Sequence, residues 1–245
     1  QWQQLMGGLA PADSNGNYQR PAGDHPSAAL PAQPVIGRLV EHRSILILGR
    51  SCPWAHRTWL VHTLRRLGES LNLVMATADH EGGRWKLDPP WRGCSSLLEL
   101  YRHCGAPPSY RATVPVLVDP LEQRILGNES AQLVELLNRW PAAADAPDLA
   151  PEDLKPAMSK WQALLQPDVN DGVYRCGFAR SQAAYDRAEA ALFNALEQVE
   201  QSLGSRGPWL CGDRLTLADL RLFPTLIRWE TVYDPLFCLL YTSDA

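Results

Sequence analysis

The sequence predicts a two-domain chain, an N-terminal α/β domain on a mixed sheet followed by an all-α C-terminal domain. Three observations carry this. An apolar run, Ser44-Ile45-Leu46-Ile47-Leu48, passes through a short loop into a helical pattern, and a second apolar run follows at 71–76, which is a strand–helix–strand unit. A β-branched run, Thr113-Val114-Pro115-Val116-Leu117-Val118-Asp119, is joined by the turn Pro120-Leu121-Glu122-Gln123 to a short strand at 124–126, ahead of a helix. Everything beyond Pro141 to Pro147 reads helical, with apolar residues at three- and four-residue spacing.

Composition bounds the function. With 245 residues, 45% hydrophobic and 20% charged, the chain can bury one large core or two smaller ones. A formal net charge of −4 with dispersed Lys and Arg leaves no basic footprint for nucleic acid. No apolar run is long enough to cross a bilayer, so no membrane partner is expected either. The opening Gln1-Trp2-Gln3-Gln4-Leu5-Met6 lacks the basic and apolar regions of a secretory signal, and a start on Gln1 points to a true N-terminus lying further upstream. Six scattered cysteines form no Cys-x2-Cys pair and no Cys/His cluster at zinc spacing, so no metal is expected. A reducing cytoplasm is the simplest setting for them.

In chain order, residues 1–40 are rich in Pro, Gly, Ala and Asn without periodicity and read as an irregular arm. Residues 41–140 form the α/β domain. Its first strand ends at Ser51-Cys52-Pro53-Trp54-Ala55-His56-Arg57, and Leu60, Leu64 and Leu67 continue at helical spacing. The segment from Asp79 to Tyr110, with Gly82-Gly83, Pro89-Pro90 and Pro107-Pro108, reads as a long functional loop carrying one helix near 96–101. Pro115 is unfavourable inside a central strand and should mark a strand start or a special bond. Gly127-Asn128-Glu129-Ser130 opens a helix with Leu133, Leu136 and Leu137 on one face. The order βαβ then ββα is the thioredoxin-like arrangement. Residues 141–151 read as a linker and 152–245 as the helical domain, with helices over 152–165 and 182–203 and a third opening at the Thr216-Leu217-Ala218-Asp219 capping box.

Cys52 carries the chemistry. Pro53 suits the first helical position, which makes Cys52 the N-cap residue facing free N–H groups and the positive end of the helix dipole. Such a site favours the thiolate, the reactive form, and His56 and Arg57 add positive charge. Where a dithiol motif has its second cysteine, this chain has Ala55, so an oxidised Cys52 must be rescued by an external thiol. That chemistry is glutathione-linked. Most free cysteines are instead small buried apolar residues, and the Pro, the cap position and the basic neighbours argue against that here.

The Val114-Pro115 step, Glu129-Ser130 at a helix start and the Thr216 capping box together resemble the glutathione transferases. Cys52-Pro53-Trp54-Ala55-His56-Arg57, Gly83-Arg84-Trp85, Asn128-Glu129-Ser130, Asn170-Asp171-Gly172-Val173-Tyr174, Gly177-Phe178-Ala179-Arg180 and Leu222-Phe223-Pro224-Thr225-Leu226-Ile227-Arg228-Trp229 narrow it. They are similar to the glutathionyl-hydroquinone reductases, also called Xi-class glutathione transferases, over most of residues 44–237. The resemblance implies that Cys52 is the catalytic cysteine, that Pro115 is a cis-proline, and that Trp85, Val114, Glu129 and Ser130 hold glutathione. A helix N-terminus and a hydroxyl suit a carboxylate, and Glu129 suits an amino group. Tyr174 and Tyr233 match tyrosines that hold the hydroquinone oxygen, although Tyr233 also reads as a helix-packing aromatic. The implied reaction is glutathione-dependent reduction of glutathionyl-hydroquinones through a Cys52–glutathione disulfide, in a homodimer joined through the helical domain.

The chain departs from that pattern in three places. The strand before Cys52 lacks the usual tyrosines, and the stretch Tyr110-Arg111-Ala112 is short. After Phe237 the chain runs Cys238-Leu239-Leu240-Tyr241-Thr242-Ser243-Asp244-Ala245, a tail that reads as foreign, so the chain reads as truncated with its last helices missing. Two other functions fit parts of the sequence. An omega-like thioltransferase or dehydroascorbate reductase also uses a monothiol Cys-Pro, and a non-catalytic transferase-fold interaction module would keep the fold without an activated thiol.

Overall fold

The computed structural model describes residues 10–21, 31–79 and 84–239. Gly82-Gly83 and the end of the C-terminal tail lie outside these residues. The chain divides into two compact units, Gly23–Leu149 and a second made of Gln1–Ala22 with Ala150–Ala245.

The first unit is a mixed six-stranded sheet with helices. Helix α1 (Gln33–Glu41) precedes strand β1 (Ile45–Gly49), helix α2 (Pro53–Leu64) and strand β2 (Asn72–Ala78). Strands β3 (Trp85–Trp91) and β4 (Cys94–Ser96), helix α3 (Leu97–His103), the hairpin β5 (Val116–Asp119) and β6 (Arg124–Gly127), and helix α4 (Ser130–Asn138) complete it. The strand order is β4-β3-β2-β1-β5-β6. Strands β1 and β2 pair in parallel, Ile47 opposite Val74, and β1 meets β5 antiparallel, Leu46 opposite Leu117. This thioredoxin-like core is centred on β1, whose five residues are all buried, as a strand covered on both faces requires.

Three local expectations differ from the structure. Residues 33–41 are helix rather than irregular arm: Pro34 sits in the first turn, and Ile36 and Leu39 are buried on one face. The long loop after Asp79 contains the hairpin of β3 and β4. Pro89 and Pro90 are tolerated there because β3 pairs with β2 only through Trp85, Lys86 and Leu87, and its ladder to β4 is irregular between Lys86 and Trp91. In α2 the buried stripe is Ala55, Thr58, Val61 and His62, whereas Leu60 and Leu64 are half-buried. The two polar members are satisfied within the unit. Thr58 donates to the Ala55 carbonyl at 2.8 Å, and a ring nitrogen of His62 lies 2.9 Å from the Leu71 carbonyl.

Residues 139–149 are tied down rather than loose. Arg65 donates to the carbonyls of Trp140 and Pro147, Asn138 accepts from the Leu149 amide at 2.9 Å, and the Trp140 indole donates to Ser70.

The second unit is helical. A 3-10 turn (Glu152–Leu154) precedes α5 (Lys155–Leu165), so 152–165 is not one continuous α-helix. A π-turn (Gln166–Asn170), α6 (Gly172–Gly177), the long α7 (Gln182–Arg206), α8 (Leu217–Leu226), a second π-turn (Trp229–Tyr233) and the short α9 (Asp234–Phe237) follow. Their core includes Leu165, Val169, Val173, Leu192, Leu222 and Tyr233. The Thr216–Asp219 capping box forms in both directions, and Asp219 also accepts from the Leu210 amide at 2.8 Å. Buried Asn170 donates to the Arg221 carbonyl and to Thr225, which fixes the first π-turn against α8.

Candidate active site

Cys52 is the N-cap of α2, half-buried, with extended backbone and Pro53 at the first helical position. Its amide donates to the Gly49 carbonyl at 3.1 Å, which draws the thiol tightly back over the end of β1. Sγ lies 3.5 Å from the Val114 carbonyl oxygen, and the Val114–Pro115 peptide bond is cis. Arg57, buried one turn on, places its guanidinium 4.7 Å from the centre of the Trp54 ring.

Burial pushes Cys104 up to about 11 and Cys176 to about 12, and it raises Cys94 and Cys211 as well. These four are held as neutral thiols at physiological pH.

Trp85 comes to the same place from the start of β3. Its ring covers Gly49, where a Cβ would overlap the indole and stand 3.0 Å from Val114 Cγ2. Cys52, Val114 and Trp85 are therefore assembled around the end of β1. Glu129 caps α4, its carboxylate accepting from the Ala131 amide at 3.2 Å. Ser130, 1% exposed, holds a hydroxyl that has no hydrogen-bond partner among the described residues.

A network of side-chain hydrogen bonds links these parts. Asn128 donates to the Tyr101 hydroxyl and to Thr113 Oγ1, each at 3.2 Å, and Tyr101 donates to the Thr113 carbonyl at 2.9 Å. Helix α3 thereby ties the Thr113-Val114-Pro115 turn to the start of α4. The Asn128-Glu129-Ser130 triplet hinted at Asn128, but nothing in sequence spacing pointed to Tyr101.

Tyr174 and Tyr233 belong to the helical unit, where their hydroxyls approach to 3.2 Å. Tyr233 is 2% exposed whereas Tyr174 is half-buried. Around them lie Phe178, stacked on Tyr174 with centroids 6.1 Å apart, and Phe237, 5.9 Å from Tyr233. Gly177 seats Phe237, since a Cβ there would overlap that ring. Among the described residues, the one His/carboxylate grouping with metal-like spacing is His42, Asp119 and Glu122. Asp119 there closes a turn, accepting from the Leu121 and Glu122 amides and bonded to His42 at 2.7 Å.

Comparison with known proteins agrees with this architecture. Residues 182–241 match the model of the glutathione S-transferase C-terminal domain. Glutathionyl-hydroquinone reductase PcpF of Sphingobium chlorophenolicum is 38% identical over 77% of this chain and 63% of its own length. Glutathionyl-hydroquinone reductase YqjG of Escherichia coli K-12 is 36% identical over 77% of this chain and 60% of its own. The chain thus spans somewhat less than two thirds of these curated relatives. The glutathione-bound structure of YqjG superposes with TM-score 0.73 at 35% identity, covering 81% of this chain and 68% of that one. Glutathione transferase Xi 1 of Trametes versicolor gives TM-score 0.72 at 32% identity, covering 81% and 73%. With a thioredoxin-like unit, a helical unit and relatives at this identity, the chain belongs to the Xi class of glutathione transferases.

Proposed function

We propose that the protein reduces glutathionyl-hydroquinones to hydroquinones with glutathione, through a mixed disulfide on Cys52. The observation that carries the reading is the half-buried monothiol at the N-cap of α2, 3.5 Å from the carbonyl of the residue preceding the cis-proline. The Cys52 thiolate attacks the sulfur of the substrate. The S–S bond forms as the carbon–sulfur bond breaks, and the electron pair left on the ring carbon takes a proton, giving the hydroquinone. A second glutathione thiolate then attacks the Cys52–glutathione disulfide, releasing oxidised glutathione and restoring the thiolate.

The roles of the remaining residues follow from their chemistry. The N-terminus of α4 and the orphaned Ser130 hydroxyl suit the γ-glutamyl carboxylate, which would satisfy a buried polar group that otherwise costs about 1–3 kcal/mol. Glu129 suits the amino group, Val114 offers backbone groups, and Trp85 walls the tripeptide. Tyr174 donates to the phenolic oxygen, and Tyr233, buried behind it, orients that hydroxyl. Glutathione is the co-substrate, and no metal takes part in the scheme. The proposed setting is the cytoplasm and the proposed assembly a homodimer through the helical unit. No described helix is long and apolar enough to cross a membrane.

The test is a side-by-side assay of the chain with glutathionyl-menadiol and with dehydroascorbate, following oxidised glutathione. Turnover of the first is the expected result. Preference for dehydroascorbate assigns the same monothiol to an omega-like reductase. Turnover of neither, with a Cys52 pKa near that of a free thiol, at about 8.5, assigns the chain to a non-catalytic module.

A further inference from the structure

Residues 10–21 are an ordered strap on the helical unit, and their contacts converge on the element that carries Tyr174. The strap is organised by its own sequence. The Asp13 carboxylate accepts from the amides of Asn15 and Asn17 at 2.9 Å and from the Asn17 side chain at 2.8 Å, while Ala12 and Tyr18 form an antiparallel bridge. Gly16, with φ +83°, makes the turn, and its carbonyl accepts from the Arg180 amide at 2.9 Å. Ser181 donates to the Asn15 carbonyl, and the Arg180 side chain to the Ala10 carbonyl, both at 2.9 Å. These bonds dock the strap where α6 passes into α7.

Two strap side chains then reach inward. The Arg20 guanidinium pairs with Asp171 at 3.2 Å, the two side chains being 29% and 13% exposed. Asp171 is the N-cap of α6, three residues before Tyr174, and its second oxygen accepts from Gln166 at 3.0 Å. The Tyr18 ring packs on Phe178 with centroids 5.4 Å apart, and Phe178 stacks on Tyr174. The strap thus holds α6 at its start through a charge pair and past its end through a ring.

We propose that Arg20 and Tyr18 are positioning residues of the tyrosine site: acting through Asp171 and Phe178, they fix the orientation from which Tyr174 shares its hydroxyl with Tyr233 and offers it to substrate. The offer to substrate rests on the reductase reading above, whereas the positioning of Tyr174 does not. Arg20 does this through a charge-assisted Nη1–H to Oδ1 bond, while Gln166 holds the other Asp171 oxygen. Tyr18 acts as a ring on a ring.

The experiment uses the full chain labelled with 3-fluorotyrosine, with Tyr174 and Tyr233 resonances assigned through the Tyr→Phe variants and Tyr101 of the other unit as reference. Arg20→Ala and Tyr18→Ala are expected to shift the Tyr174 and Tyr233 fluorine signals, leave Tyr101 in place, and lower kcat with glutathionyl-menadiol about tenfold. KM for glutathione and the rate of Cys52 alkylation should stay at the parent value. Tyr18→Phe should recover most of the loss and Arg20→Lys only part of it, and these milder variants carry the test if the alanine variants do not fold. Unmoved Tyr174 and Tyr233 signals in folded variants overturn the proposal whatever the activity. Moved signals with unchanged kcat overturn the claim that the strap serves the reaction. Moved signals in a chain whose parent does not turn over glutathionyl-menadiol sink the reductase reading and uphold the positioning.

Discussion

The α/β unit presents its chemistry through the backbone, and the helical unit presents it through rings. Around Cys52 the groups proposed to act are the N-terminus of α2 and the Val114 carbonyl, placed by the backbone with the Tyr101–Asn128–Thr113 bonds holding the Val114 turn. Around Tyr174 they are the hydroxyl of Tyr233 and the faces of Phe178 and Phe237, fixed by packing of side chains on two segments, 174–178 and 233–237. Both units use glycine to seat an aromatic ring, Trp85 on Gly49 and Phe237 on Gly177. The difference teaches where each half is fragile. A backbone-built site fails when a local turn is changed, whereas a ring cluster yields by degrees.

The sharpest break of that comparison is the nucleophile. Cys52→Ala should lower turnover of glutathionyl-menadiol by at least about 10³-fold with the fold intact, because no neighbouring group can form the disulfide. Retained activity, followed as release of menadiol, would remove Cys52 from the mechanism.

The tyrosine pair should respond less. Tyr174→Phe is expected to cost about 10- to 100-fold in kcat and Tyr233→Phe somewhat less. The double variant should be little worse than Tyr174→Phe, since the two hydroxyls act as a unit at 3.2 Å. Additive losses in the double-mutant cycle would show that they act separately.

The two glycine seats test backbone against packing directly. Gly49→Ala drives a methyl into the Trp85 ring beside Val114 and should raise KM for glutathione about tenfold, with about 1–3 kcal/mol lost from stability. Gly177→Ala displaces Phe237 instead and should cost similar stability while sparing KM for glutathione. Equal KM effects in both variants, read from steady-state kinetics beside urea unfolding, would erase the distinction.

The thiols give the smallest effect. Iodoacetamide at pH 7.5 should label Cys52 well ahead of Cys104 and Cys176, as mapped by mass spectrometry. The buried thiols also predict alkaline instability. An unfolded cysteine ionises near 9.0, whereas folded Cys104 and Cys176 hold their protons to about 11 and 12. Their contribution to stability is therefore complete below pH 9 and is lost as pH rises from 9 toward 12. Thermal midpoints from pH 8 to 10.5 should fall across the upper half of that range.

Much of both units was legible where the determinants are local. The N-cap at Cys52, the helix at Ser130 and the Thr216 capping box each depend on a few consecutive residues, and the structure has all three. The β3–β4 hairpin was not legible, because two prolines argue against a strand unless the irregular pairing beside them is known. Nor was the buried face of α2, where Thr58 and His62 replace the leucines by finding carbonyls that only the fold supplies.

The sequence by itself determined a monothiol at a helix N-cap, the absence of a cysteine at position 55, and the strands and helices that flank them, because caps, turns and periodicity are properties of short segments. Only the tertiary structure decided that Trp85 covers Gly49 beside Val114, that Tyr101 and Asn128 tie α3 to two loops, and that Tyr18 and Arg20 reach the element bearing Tyr174. Those contacts join residues from 12 to more than 150 positions apart. Which partners meet across such distances is set by how the elements pack, and no local pattern encodes that.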